Sequence, residues 1–428
     1  MSILRTACAS SAVILAASLA ACSSSDDTGT GGSASTTTSS TTTSASTTTS
    51  ASTGTGTGGA FATASHTAAP QVITFGGPVL ATPKVQAIVY ASDPHAADID
   101  GFLAELASTS YWSQATSEYG VGALQILPII KRTDAPPANL KDSDITQDLA
   151  DHTSGANPAW GAADPDTIYL FVMPEGTIVD AGGACCDSYD GYHDETAVGA
   201  AKIPYGIVCT CPGLDGPTVG DVQQITVAMS HEIIEAATDP FPWTDPAYGQ
   251  NDEADLVWTL VTGGEVADMC EFDIDAFTIP NGSKYMVQKS WSNAAAKAGK
   301  EPCLPATGAP FFGASPALPD TLGVPGAPFT TSGVKIAKGQ TRTIDVTLYS
   351  EAPTKGPWTV TAYDYNEYFG GTPNMKLTLD QTSGQNGDVL QLTIEVDSIN
   401  SDIGIDAFIL ESVLDGETSL AMGVVGPG

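Results

Sequence analysis

A chain of 428 residues with 49 Asp and Glu against 15 Lys and Arg carries a formal net charge of −34. That balance excludes nucleic-acid and anionic-membrane binding, since both are held by basic patches. The length exceeds what one compact core fills and implies two domains with extensions, and the acidic, Ser/Thr/Gly-rich composition suits an exported protein.

Arg5 is followed by an apolar run centred on Ala12 to Ala17 that ends in Leu19-Ala20-Ala21-Cys22. The ending has the form of a bacterial lipobox, so residues 1–21 are expected to be a lipoprotein signal and Cys22 to carry diacylglycerol. A plain signal peptide is the alternative. The run falls short of the roughly 18 apolar residues of a membrane span. The chain is therefore expected to be anchored to the bacterial envelope by its lipid alone, facing the outside or the periplasm. From Cys22 to Ala69 nearly every residue is Ser, Thr, Gly or Ala, which has little to bury and predicts a disordered tether.

Val85 to Tyr90 reads as a buried strand, and Asp98 as the cap of a helix whose Ile99, Phe102, Leu103 and Leu106 share one face. Ala123 to Ile130 predicts another strand, pushed toward an edge or a bulge by Pro128. Ser143 to His152 predicts an amphipathic helix. Thr167 to Met173, apolar, branched and stopped by Pro174, predicts a strand, as does Ile203 to Val208. Strands alternating with helices imply an α/β layer with a mixed sheet.

Apart from Cys8 and Cys22, the chain holds Cys185, Cys186, Cys209, Cys211, Cys270 and Cys303. An even set in an exported protein favours disulfides over a metal-thiolate site, because neither close pair has C-x-x-C spacing. All six are expected to be oxidised, the first four pairing mainly among themselves and Cys270 joining Cys303. His193 lies in the cysteine-bracketed excursion and is read as a loop histidine that could serve as ligand or proton donor.

The chemistry concentrates at His231-Glu232-Ile233-Ile234-Glu235. Asp221 with Gln224 suggests a capping box, and Val222, Ile225, Met229, Ile233 and Ala237 recur at helical spacing. Pro240 stops the helix after about seventeen residues. On it His231 and Glu235 share a face, so a nitrogen and a carboxylate can meet at one point, and Glu232 can reach a water held there. This is the zinc-peptidase motif H-E-x-x-H with its second histidine replaced by glutamate. Asp245, Asp252, Glu253 and Asp255 lack EF-hand spacing and read as a solvated loop. Glu265 and Asp268, three apart, would share a helical face and offer the third ligand, and no histidine follows His231.

Six prolines between Leu304 and Phe329 mark a linker over 306–328. Beyond it the alternation of Ile344, Val346 and Leu348, and of Leu390, Leu392, Ile394 and Val396, predicts a β-sandwich over 329–428. Trp358 to Tyr363 and Phe408 to Leu410 add two more strands.

Tyr119-Gly120-Val121-Gly122, Gly191-Tyr192-His193, Cys209-x-Cys211-Pro212, His231-Glu232-x-x-Glu235 with Thr238-Asp239-Pro240, and Glu265-Val266-x-Asp268-x-Cys270-Glu271 occur in this order. Together they resemble the phosphate-induced protein, or EXORDIUM-like, family and its bacterial relatives over residues 70–305. The resemblance implies an extracellular place. The motif itself is similar to that of glutamate-ligand zincins, which implies a zincin-like domain. On that analogy His231 and Glu235 are helix ligands, Glu232 is the general base and Glu265 the downstream ligand, with Asp268 orienting His231. The spacing of three after Glu265, rather than four, leaves Glu265 and Asp268 exchangeable.

Zinc is the expected ion, with manganese and calcium made competitive by the oxygen donors. The leading expectation is a metal-dependent peptidase acting on extracellular protein, with the sandwich docking to wall polymer or substrate. The alternative is a non-catalytic wall-binding lipoprotein on the same scaffold. Mass spectrometry of the mature N-terminus is expected to show a diacylated Cys22, and a free N-terminus elsewhere would exclude the lipid anchor.

Overall fold

The structure, a computed structural model, describes residues 61–427 apart from 215, 217, 273–276, 281, 325–329 and 401–403. The expected signal, Cys22 and most of the tether lie outside the described residues. No helix among the described residues is long and apolar enough to cross a membrane.

Six strands build the sheet that carries the site: Lys84–Tyr90 (β1), Gln125–Ile126 (β2), Ile130–Arg132 (β3), Thr167–Met173 (β4), Gly191–Val198 (β5) and Ala201–Cys209 (β6). Their order is β2-β1-β4-β6-β5, with β3 pairing farther along β1. β5 alone runs antiparallel, at the edge, so the sheet is mixed as expected. All seven residues of β4 are buried, as a central parallel strand covered on both faces requires. The predicted strand Ala123 to Ile130 is split around Pro128, which cannot donate to a ladder.

Helices Ala96–Leu106 (α1), Asp142–Thr153 (α2), Asp221–Thr238 (α3) and Leu256–Thr262 (α4) complete the domain. Alternate residues of β1 and β4 divide between the two faces. Val85, Ala87, Val89, Ile168, Leu170 and Val172 pack with Phe102 and Leu103 of α1 and Met229 and Ile233 of α3. Ile88, Tyr90, Tyr169 and Phe171 pack with Ile145 and Leu149 of α2. α1 begins before Asp98, which lies in its first turn; the carboxylate of Asp93 instead accepts from the His95 N–H at 2.8 Å.

The C-terminal region forms two further sheets. Phe312–Pro316 (β7), Asp320–Gly323 (β8), Thr330–Lys335 (β9), Thr341–Ser350 (β10), Trp358–Asp364 (β11), Met375–Leu379 (β12), Ser383–Gly384 (β13), Val389–Val396 (β14), Asp406–Leu414 (β15) and Glu417–Gly426 (β16) are its strands. They are ordered β7-β10-β14-β12 and β8-β9-β16-β15-β11-β13. Ile344, Val346, Leu390 and Leu392 of the first sheet share one apolar cluster with Val334, Trp358, Val360 and Phe408 of the second, as the layers of a sandwich do.

Two expectations on domain limits are corrected. The proline-rich stretch 306–328 is no linker: it supplies β7 and β8, and Pro316 fits because β7 is an edge strand. The last part of the expected tether is also docked, with Ala64 N–H donating to Asn386 at 2.8 Å and the His66 ring stacked 3.8 Å from that of Tyr349. The domains share apolar packing as well, since Leu322, Ile409, Met422 and Val424 belong to the cluster that covers one face of the first sheet.

Cys270–Cys303 is a disulfide, as expected, and Cys186 pairs with Cys211. Cys185 and Cys209, however, are buried free thiols. Cys186 adopts a left-handed φ of 68°, so the adjacent cysteines diverge. Cys185 instead accepts from the Val179 N–H at 3.2 Å, and its hydrogen bond with Cys209 holds its thiol down to about 7. Unfolding without reductant, alkylation and peptide mapping should label Cys185 and Cys209 and spare the other four; labelling of neither would establish a third disulfide.

Candidate metal centre

α3 is placed by both of its ends. Gln223, not Gln224, caps it, accepting from the Gly220 N–H at 3.1 Å. Gln224 is buried and clamps the helix to the sheet, accepting from the Cys211 N–H at 3.0 Å and donating to Asp190 at 3.0 Å and to the Cys209 carbonyl at 3.3 Å. At the other end Asp239 leaves the helix before Pro240, and its carboxylate accepts from the Ala247 N–H at 2.7 Å.

The edge strand β5 brings in His193, which the sequence reading had left in a loop. Its residues are too polar to show the alternation of a half-buried strand, yet they pair with β6 from Gly191↔Val208 to Val198↔Ala201. Gly191 is required by the close approach of α3: a Cβ there would lie 2.6 Å from Glu232 Oε1. His193, two residues on, projects to the same face. Beyond α3, Trp243 and Thr244 donate to Asp194 and Glu195 of this strand, each at 2.9 Å.

The third element is the segment after α4. Glu265 and Asp268 do not share a helical face as expected. Gly263 and Gly264 take φ of 103° and 89°, reversing the chain into a loop, and only Asp268–Cys270 forms a 3₁₀ turn. Glu235 Oε1 accepts from the backbone N–H groups of Ala267 at 3.2 Å and Asp268 at 3.0 Å, which fixes this segment against α3.

Two groups of donors result: His231, Glu235 and Asp268, and His193, Glu235 and Glu265. His231 Nε2 lies 3.0 Å from Glu235 Oε2 and 3.5 Å from Asp268 Oδ1. His193 Nδ1 lies 3.6 Å from Glu235 Oε2, and its Nε2 3.5 Å from Glu265 Oε2. Asp268, expected either to orient His231 or to exchange with Glu265 as ligand, lies beside His231 Nε2, while Glu265 faces His193. Glu232 Oε2 is 3.9 Å from His193 Nδ1. The side chains of Glu235 and His193 are 5% and 6% exposed, and the site meets solvent chiefly through Asp268 and Glu265, at 17% and 18%.

Sequence reasoning missed Gln288, which carries no motif signal and reaches the site from the short strand Val287–Gln288. Its Nε2 donates to the Ala267 carbonyl at 2.8 Å, which leaves Oε1 to accept from His231 Nδ1 at 2.9 Å. The proton is thereby held on Nδ1, and Nε2 is directed to the carboxylates, the arrangement by which an outer partner orients a metal-binding imidazole.

The carboxylates and imidazoles shift one another's proton affinities strongly. Burial disfavours the charged form of His231 and of His193, yet the surrounding carboxylates, Glu235 foremost for His231 and Glu265 for His193, push both well above the usual imidazole range. Burial pushes Glu232 and Glu265 well up and Asp268 to about 6. Glu235 is held well below the ordinary carboxylate range by the two imidazoles, despite its burial. Imidazole and carboxylate donors suit a divalent first-row ion. A further sign that the donor set fits one is that His193 Nε2 and Glu265 Oε2 are buried, face each other and have no hydrogen-bond partner. Among the described residues no cysteine and no member of the 245–255 acidic loop belongs to either group; Asp252 instead caps a 3₁₀ turn.

No family model matches this chain, and no curated protein sequence matches it. Replacing Gln288 with Leu should leave fold and secondary structure intact and weaken zinc binding on the order of 10- to 100-fold. Zinc titration against a chromophoric chelator checks this, and unchanged affinity would remove Gln288 from the centre.

Proposed function

We propose that this protein is an exported, lipid-anchored, metal-dependent hydrolase with a zincin-like domain, and that it cleaves peptide bonds in extracellular protein. The observation that carries the reading is the convergence of His231, Glu235 and Asp268 with Glu232 beside them on the same helix. The mixed sheet with its antiparallel edge strand against α3 supports a zincin-like architecture. The resemblance to the EXORDIUM-like family supports an extracellular place, as do the two disulfides. Zinc is the proposed ion. The sandwich domain is the proposed means of docking to wall polymer or to substrate.

A bound divalent ion would supply Lewis-acid polarisation of a water or a scissile carbonyl. The protein's own residues then divide the work. His231, Glu235 and Asp268 would hold the ion, with Gln288 and the Ala267 and Asp268 N–H groups fixing the first two. Two carboxylates and one imidazole would cancel the charge of a divalent ion, so water there would be acidified less than at a site with two or three imidazoles. Glu232, next to His231 on the helix and 3.9 Å from His193 Nδ1, is placed to take the proton from that water and pass it to the leaving amine.

The test is Glu232→Gln, which keeps the shape of the side chain while removing its basicity. Metal content should stay equal to that of the wild type, and cleavage of an unfolded protein or a peptide library should fall on the order of a hundred- to ten-thousandfold. Equal cleavage by both proteins would assign the activity elsewhere. No cleavage by a metal-replete wild type would favour the wall-binding alternative.

A further inference from the structure

The reading above uses His231, Glu235 and Asp268 and leaves His193 and Glu265 without a task. Both point into the same centre, and the buried atoms His193 Nε2 and Glu265 Oε2 face each other 3.5 Å apart with no hydrogen-bond partner. A buried imidazole nitrogen and carboxylate oxygen that meet as an ion pair at 3.5 Å without a hydrogen bond are poorly satisfied unless a ligand lies between them. We propose that the centre binds two divalent first-row metal ions, bridged by Glu235, one held with His231 and Asp268 and the other with His193 and Glu265. This inference rests on the proposed metal centre and deepens it.

Geometry favours two ions over a single one gathering all five donors. The donor atoms of each group lie within 4.8 Å of one another, and the two histidines fall in different groups. Two imidazole nitrogens on one zinc, each about 2.0–2.1 Å from it, lie no more than about 4.2 Å apart. Glu235 is the only residue common to both groups, and its two oxygens have separate duties. Oε1 is committed to the backbone of Ala267 and Asp268, whereas Oε2 faces His231 Nε2 at 3.0 Å and His193 Nδ1 at 3.6 Å. One nitrogen of His193 lies with oxygens of Glu235 and Glu265 inside 4.8 Å, as one nitrogen of His231 does with oxygens of Glu235 and Asp268, so Glu235 is within reach of both ions.

Charge points the same way. Among the described residues, Glu232, Glu235, Glu265 and Asp268 have ion pairs only with His193 and His231. Uncompensated charge at this depth is strongly unfavourable. Two metal ions about 3.5–4 Å apart clamp both the attacking and the leaving oxygen in hydrolytic reactions.

The exported protein, stripped of metal and then loaded with zinc or with manganese, separates the possibilities by stoichiometry. Elemental analysis should find two ions per chain. His193→Ala and Glu265→Gln should each leave one ion, as should His231→Ala and Asp268→Asn, while Glu235→Gln should leave none. With manganese, electron paramagnetic resonance should show a spin-coupled pair in the wild type and an isolated ion in His193→Ala. One ion in a wild type that His193→Ala leaves unchanged would overturn the second position while preserving the first. One ion lost in both His193→Ala and His231→Ala would mean a single ion shared by the two imidazoles, and would also overturn the pair. No bound ion in the wild type would overturn the metal centre itself and the pair with it.

Discussion

The geometry of the centre depends on how the carboxylate of Glu235 is divided. One oxygen accepts from the Ala267 and Asp268 N–H groups, and the other faces both His193 and His231. A carboxylate 5% exposed would ordinarily rise in pKa, but here the imidazoles hold it down and its charge persists. Through this one group, helix, edge strand and the loop after α4 are fastened to a common point. The loop's regular structure is the single 3₁₀ turn Asp268–Cys270, and Cys270–Cys303 holds its far side. The two backbone donors, together with Gln288 Nε2 on the Ala267 carbonyl and the Trp291 N–H on that of Val266, fix Asp268 relative to His231.

Close approach of α3 to the sheet is the second constraint. Gly191 leaves the space that Glu232 occupies, since a Cβ there would lie 2.6 Å from Glu232 Oε1 and 2.9 Å from its Cγ. Gln224 locks the register by joining the helix to Cys211, Asp190 and Cys209 at the strand ends. The Cys186–Cys211 disulfide holds the chain that enters β5 against the chain that leaves β6. His193 is thus positioned by a strand that its own sequence hardly specifies. Pairing to β6 supplies what local propensity lacks.

The sandwich belongs to the same folded body as the site domain. Residues from β8, β15 and β16 complete the apolar cluster that includes α3 and α4, and the Tyr368 hydroxyl donates to the Phe272 carbonyl at 3.1 Å, one residue past Glu271. The loop bearing Glu265 and Asp268 is therefore buttressed on its outer side by the second domain. Docking of residues 61–69 along the sandwich adds to this, since the chain passes over β7 and β10 before entering the first domain.

Much of the scaffold was legible from sequence because it rests on local pattern. The run Thr167–Met173, the periodicity of α3 and its stop at Pro240, and the alternation in β10 and β14 each encode one element and the face it buries. The spacing of His231, Glu232 and Glu235 likewise fixes a shared helical site, because four residues span one turn. Partners brought in from elsewhere were not legible. His193 lies on a polar edge strand, and Gln288 on a two-residue strand. The choice of Asp268 over Glu265 beside His231 follows from two backbone hydrogen bonds and two left-handed glycines. Prolines between 306 and 328 read as a linker, since composition records that a proline cannot donate and not that it lies on an edge where no donor is needed. The sequence by itself determined the helix, its stop and the three residues that one turn aligns. Tertiary structure alone decided which distant groups complete the centre, because those contacts depend on the relative placement of strand, helix and loop and leave no period in the chain.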